Sequence, residues 1–136
     1  MFLNKKKVSI WLLKIAGISF IISALGQGFY AIPEIKNAIK NLPSYWFNRI
    51  HMYCWLVNLS IWMVGILVLY GAYLQDRGRN YYLVTTVAAL YAFIMAILIF
   101  ILTPSDWWHA IVIFAGVALI SISLILNFKK VSEKIS

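Results

Sequence analysis

The chain has 136 residues, 63% apolar and 12% charged, with a formal charge of +8 and a mean hydropathy of +0.86. Soluble domains average about 45–50% apolar and about 25% charged residues, so this chain has too few charges to cover a water-facing surface. A multidomain protein, a soluble enzyme of ordinary build and a disordered tail are excluded.

Twelve Lys and Arg face four Asp and Glu. In a soluble protein that excess would suggest nucleic acid. Here the bases flank apolar runs, where the positive-inside rule and anionic lipid account for them, so no nucleic-acid partner is expected. The single cysteine, Cys54, excludes an internal disulfide and any CxxC motif.

The pattern predicts an all-α polytopic membrane protein, one four-helix transmembrane domain over residues 1–136. The first apolar run, Trp11 to Ile32, follows Lys5, Lys6 and Lys7; it is longer than the h-region of a signal peptide, so it reads as a spanning helix with Lys14 snorkelling. Ile32, Ile35, Ile39 and Leu42 then recur opposite Glu34, Lys36, Asn37, Lys40 and Asn41. With Pro33 suited to a first helical position and Pro43 ending the pattern, this predicts a short amphipathic helix lying on the membrane within an outer loop, Pro33 to Ile50. Tyr45, Trp46 and Phe47 form an aromatic belt before the second run, Met52 to Leu74.

The third run is Tyr81 to Leu102 and the fourth Trp107 to Phe128. Runs of this length in lipid must be helices, because their backbone groups have to pair internally. Gln75 to Asn80 is a tight inner link and Thr103 to Asp106 a tight outer one, with Pro104 stopping the third helix and Ser105 or Asp106 capping the fourth. Lys5, Lys6, Lys7, Lys14, Arg77, Arg79, Lys129, Lys130 and Lys134 fall on one side; Lys36, Lys40 and Arg49 fall on the other. Both termini are therefore expected in the cytoplasm of a cell-membrane protein.

No internal repeat supports a two-fold transporter. Glu34, Asp76, Asp106 and Glu133 all lie in loops or at span ends, so the intramembrane carboxylate expected of a proton-coupled carrier is missing. Walker, GxGxxG and HExxH patterns are absent as well, and no serine has a His-Asp pair at motif spacing. No catalytic residue and no metal ligand set is therefore assigned. Small residues at Ala88, Ala92 and Ala96, at Ala24 and Gly28, and at Gly65 and Gly116 mark close helix approaches, within the monomer or in an oligomer.

What remains is a polar set at one depth. Ser19, Ser23, Gln27 and Tyr30 share a face of the first helix, His51, Trp55, Asn58 and Trp62 a face of the second, and the fourth opens with Trp107, Trp108 and His109. Gln27, Tyr30, His51, Trp55, Asn58, Trp62 and His109 would line an outward pocket if the helices converge, with Asp106 placed to orient His109. The plainer reading makes Asn58 and Gln27 interhelical glue, the histidines headgroup neighbours and the tryptophans belt or packing residues. His51 and His109 are level but close to water, which disfavours a haem, and a metal would need Asp106 or Glu34 as a third ligand.

The first helix LLKIAGISFIISALGQGFYAIP, the longer outer loop, VGILVLYGAYLQDRGR closing the second helix and TPSDWWHAIVIFAGVALISISLIL resemble the DoxX-like group of small four-helix membrane proteins. The resemblance spans most of the chain as hydropathy, glycine placement and the D-W-W-H start. It implies a four-helix membrane fold and, for some members, a place in quinone-linked oxidoreductases, but it matches no active-site motif. The leading expectation is an accessory membrane protein that binds lipid or another amphiphile, or a partner surface such as a homo-oligomer or a membrane complex. The alternative is a redox subunit holding a quinone in the outward pocket, and a small transporter or channel is third.

Overall fold

The structure, a computed structural model, describes residues 4–102 and 107–132. It is an all-α four-helix bundle. Four helices are long and apolar enough to cross a membrane, Lys5–Ala38, Ser44–Asp76, Tyr82–Ile101 and Ala110–Asn127, as expected of a multi-pass membrane protein. By element they are α1 (Lys5–Gly26), a π-helical turn (Gln27–Ala31), α2 (Ile32–Ala38), α3 (Ser44–Asp76), α4 (Tyr82–Leu102) and α5 (Trp107–Ser132). α1 packs between α3 and α5, and α4 closes the square against the same two helices. Every neighbouring pair is thus antiparallel.

Local chemistry sets the ends. Asn4 caps α1 by accepting from Lys6 N–H at 3.1 Å, and Asn80 caps α4 by accepting from Tyr82 N–H at 3.1 Å. Gly78 takes φ +69°. That left-handed turn lets Arg79 N–H reach the Leu74 carbonyl at 2.8 Å and Gly78 N–H the Gln75 carbonyl at 3.1 Å, which closes the C-terminus of α3.

The expected interfacial helix is corrected. Residues Ile32–Ala38 are helical, but Ala31 and Ile32 keep right-handed helical angles, so α1 and α2 are one helix of 34 residues joined by the π turn. Pro33 has no N–H to donate and its ring crowds the carbonyl four residues back. The wider π turn directly upstream, in which Ile32 N–H bonds the Gln27 carbonyl, admits the ring without a break. The second span likewise starts earlier than its apolar run, at Ser44, with Pro43 as its extended N-cap at φ −50°, ψ 142°.

These extensions make the helices unequal. Measured from the level of Ser9, α1 and α2 rise about 43 Å to Ala38, and α3 rises about 46 Å from Gln75 to Ser44. α4 spans only about 30 Å from Tyr82 to Leu102. Among the described residues, the first pair of helices therefore reaches roughly 15 Å further along the axis than α4.

The core runs down the middle of the bundle from Leu13, Phe20 and Ala24 through Ile61, Val64 and Val68 to Ile113 and Ile120. Ala88, Ala92 and Ala96 are 1%, 2% and 0% exposed; this ridge of small residues is part of the monomer core. Gly17 and Gly65 bring α1 and α3 together. A Cβ on Gly65 would stand 3.0 Å from the Gly17 carbonyl and 2.8 Å from Ile21 Cγ1.

Candidate functional site

The polar set expected at the far end of the bundle, opposite the chain termini, divides. Asn58 is 4% exposed and donates from Nδ2 to the Ala24 carbonyl at 2.6 Å. It lies against Gly28, whose Cβ position is 3.6 Å from Nδ2. It is thus an interhelical bond from α3 to the last turn before the π segment. Ser23 is buried, and Ser23 Oγ and Gln27 Oε1 are enclosed without a hydrogen-bond partner. Trp62 is half-buried against the core.

Tyr30 and Trp55 do not join them. Tyr30 is 79% exposed. In an unbroken α-helix it would share a face with Ser23, but the extra residue in the π turn swings the following residues round by up to about 100°. Trp55 is half-exposed; it sits about 60° around α3 from Asn58, at the edge of the buried face. Its Nε1 donates to His51 Nε2 at 3.3 Å, and the His51 ring stacks on Phe47 with centroids 5.9 Å apart. Phe47, His51 and Trp55 thus form a column along α3 itself. Asp106 and the side chain of His109 lie outside the described residues.

A second polar cluster, which the reading from sequence missed, sits at the basic end near the termini and draws on α1, α3 and α5. Ser9 and Ser123 are fully buried, their hydroxyl oxygens 2.6 Å apart. Gln75 Nε2 donates to Ser9 Oγ at 2.7 Å and Asn127 Nδ2 to the same oxygen at 2.6 Å. Asn127 also donates to the Ser123 carbonyl at 3.0 Å. Tyr81, at the mouth of α4, is buried beside Ser9 and Asn127. Nearby, Lys6 Nζ donates to the Asp76 carbonyl at 3.1 Å. Ser9, Gln75, Ser123 and Asn127 all stand at span ends at one depth, so the depth matching that found the far-end set would have found this one too.

No family model, curated protein or solved structure matches the chain. The chemistry of the site must be read from its own residues. Among the described residues the buried polar side chains besides Tyr81 are Ser9, Ser23, Asn58, Gln75, Thr85 and Ser123, none of them charged. Thr85 returns its hydroxyl to the Tyr81 carbonyl at 2.9 Å. Such groups bind and orient; they offer no strong base or nucleophile at neutral pH.

Two grooves open on the sides of the bundle. Between α3 and α4 a groove of about 360 Å³ is walled by Leu56, Leu59, Met63 and Leu67 on one side and Val87 and Tyr91 on the other. Ser60 borders it with its hydroxyl turned back onto the Leu56 carbonyl at 2.8 Å. Tight contact at the basic end, where a Cβ on Gly71 would collide with Thr85, pins the two helices there; the groove lies on the far side of that contact. Between α1 and α5 a groove of about 280 Å³ is lined by Ser19, Ile22, Ser23, Gly26, Trp108 and Val112.

Proposed function

We propose that the protein is a multi-pass cell-membrane protein with both termini in the cytoplasm, accessory in role and without catalysis of its own, that holds the hydrocarbon chain of a membrane amphiphile between α3 and α4. The observation that carries this reading is the α3/α4 groove, whose volume of about 360 Å³ falls within the range of small-molecule sites, about 300–1,000 Å³. Its walls are aliphatic and aromatic, the Ser60 hydroxyl is turned back onto its own helix and the Tyr91 phenol is the other polar side-chain group, so it suits a chain. The orientation rests on the excess of Lys and Arg at the end that carries the termini.

The quinone alternative needs donors facing a shared cavity, because quinone oxygens only accept. Asn58 already spends one of its two N–H groups on Ala24 and Trp55 its only one on His51, and the two side chains share no lined cavity, which makes a quinone in the expected outward pocket the less favoured occupant. The DoxX-like kinship is a resemblance of sequence pattern and adds no site residue.

Native mass spectrometry from mild detergent tests the reading. Val87 is 54% exposed, so Val87→Trp fills the groove from its rim without disturbing the core. Wild type should retain lipid that Val87→Trp releases. Equal retention by both would overturn the assignment.

A further inference from the structure

The α1/α5 groove has a buried wall residue whose polar group is unused. The other described serines inside the spanning helices spend their hydroxyls, Ser9 and Ser123 on each other across the bundle and three more on the carbonyl four residues back. Ser19 does so to Ile15 at 2.9 Å, Ser60 to Leu56 at 2.8 Å and Ser121 to Val117 at 2.9 Å. Ser23, one turn beyond Ser19 in the wall of the groove, is 9% exposed and its Oγ bonds to nothing. Gln27 Oε1, one turn further along the helix and behind the groove wall, is also enclosed without a partner. An unmade hydrogen bond in a low-dielectric interior is costly, and two on successive turns of one helix leave unused capacity to bind something, as Gln75 Oε1 and Tyr81 Oη do at the basic end.

The groove has room for it. A Cβ on Gly26 would meet nothing within 4 Å, so the backbone of α1 lies open there, and Ile22, Val112 and Trp108 supply apolar walls. Gln27 Oε1 accepts only, and Ser23 Oγ both donates and accepts. The complement is an uncharged donor on an apolar chain.

We propose that the groove between α1 and α5 is a selective site for hydroxyl-bearing amphiphiles, with the ligand hydroxyl donating to Gln27 Oε1 and accepting from Ser23 Oγ, and the chain lying along Ile22, Val112 and Trp108. This site is separate from the α3/α4 groove.

Trp108 in the wall supplies the assay. A long-chain alcohol brominated on its chain, and the methyl ether of the same molecule, are titrated into the purified full-length protein in mild detergent, and the Trp108 contribution is isolated by difference with Trp108→Phe. The alcohol should quench saturably and bind about 5-fold tighter than the ether, the ratio set by one hydrogen bond. Ser23→Ala and Gln27→Met should each narrow that ratio. Ser23→Ala removes an unsatisfied group, so it does not endanger the fold. Gly26→Leu should abolish quenching by both probes, because it fills open space in the groove. Val87→Trp should leave all of this unchanged, which separates failure here from failure of the α3/α4 site. Equal binding of alcohol and ether to wild type, an unaltered ratio in both polar variants, or quenching that never saturates would each overturn the proposal.

Discussion

Ser9 and Ser123, 114 positions apart, clasp each other reciprocally: Ser9 Oγ reaches the Ser123 carbonyl at 3.2 Å and Ser123 Oγ reaches the Ser9 carbonyl at 3.1 Å. Because Ser9 Oγ already accepts from Gln75 and Asn127, its own proton must go to Ser123. The clasp ties the first helix to the last, and through Gln75 to the second span.

Removing its centre should be costly. Ser9→Ala leaves the Gln75 amide without its acceptor in a buried site, so it is expected to destabilise the fold by about 2 kcal/mol, above the usual average for interhelical hydrogen bonds. Ser121→Ala, whose hydroxyl serves only its own helix, should cost a few tenths of a kcal/mol at most. Unfolding titrations in mixed micelles compare the two. Similar losses would mean that the cluster contributes no special stability.

Glycine substitutions separate close packing from open surface. Gly65→Ala puts a methyl group against Ile21 and the Gly17 carbonyl and should destabilise by about 1–3 kcal/mol, as overpacking does. Gly26→Ala meets nothing and should be neutral or stabilising by up to about 1 kcal/mol, the ordinary helix-propensity gain. The opposite signs are read from the same melting experiment.

Tyr81 makes stability sensitive to alkali. Burial, with a smaller contribution from neighbouring Tyr82, pushes its phenol above the ordinary value of 10.0. The folded state therefore holds the proton more tightly than the unfolded chain does. The stabilisation is complete below the unfolded value and declines as pH climbs beyond it. Tyr81→Phe should lose less stability than wild type between about pH 10 and 12. Parallel declines for both proteins would show that Tyr81 does not titrate in this way.

Orientation is open to labelling. With Cys54 replaced by alanine, a cysteine at Asn41 should react with an impermeant maleimide added outside intact cells, and a cysteine at Arg79 only after the membrane is opened. The reverse pattern would invert the assigned topology.

Composition and patterning alone determined the number and type of the elements. Four apolar runs flanked by Lys and Arg admit little besides four helices, since backbone groups in hydrocarbon must pair within their own segment. Small residues at Ala88, Ala92, Ala96 and Gly65 likewise announced close approach. What they approached was not legible, because spacing along one helix carries no azimuth relative to its neighbours. One π turn decided the far end: it carried α1 past Pro33 into α2 and rotated Tyr30 out of the face it shares with Ser23. A set of residues matched by depth was thereby split into Asn58, Ser23 and Gln27 inside and Tyr30 and Trp55 outside. The Ser9, Gln75, Ser123 and Asn127 cluster shows the reverse case. Its members can be matched by depth, but only the antiparallel packing of α1 with α3 and α5 brings their side chains within hydrogen-bond reach, where burial favours pairing although Gln75 Oε1 and Tyr81 Oη stay without a partner.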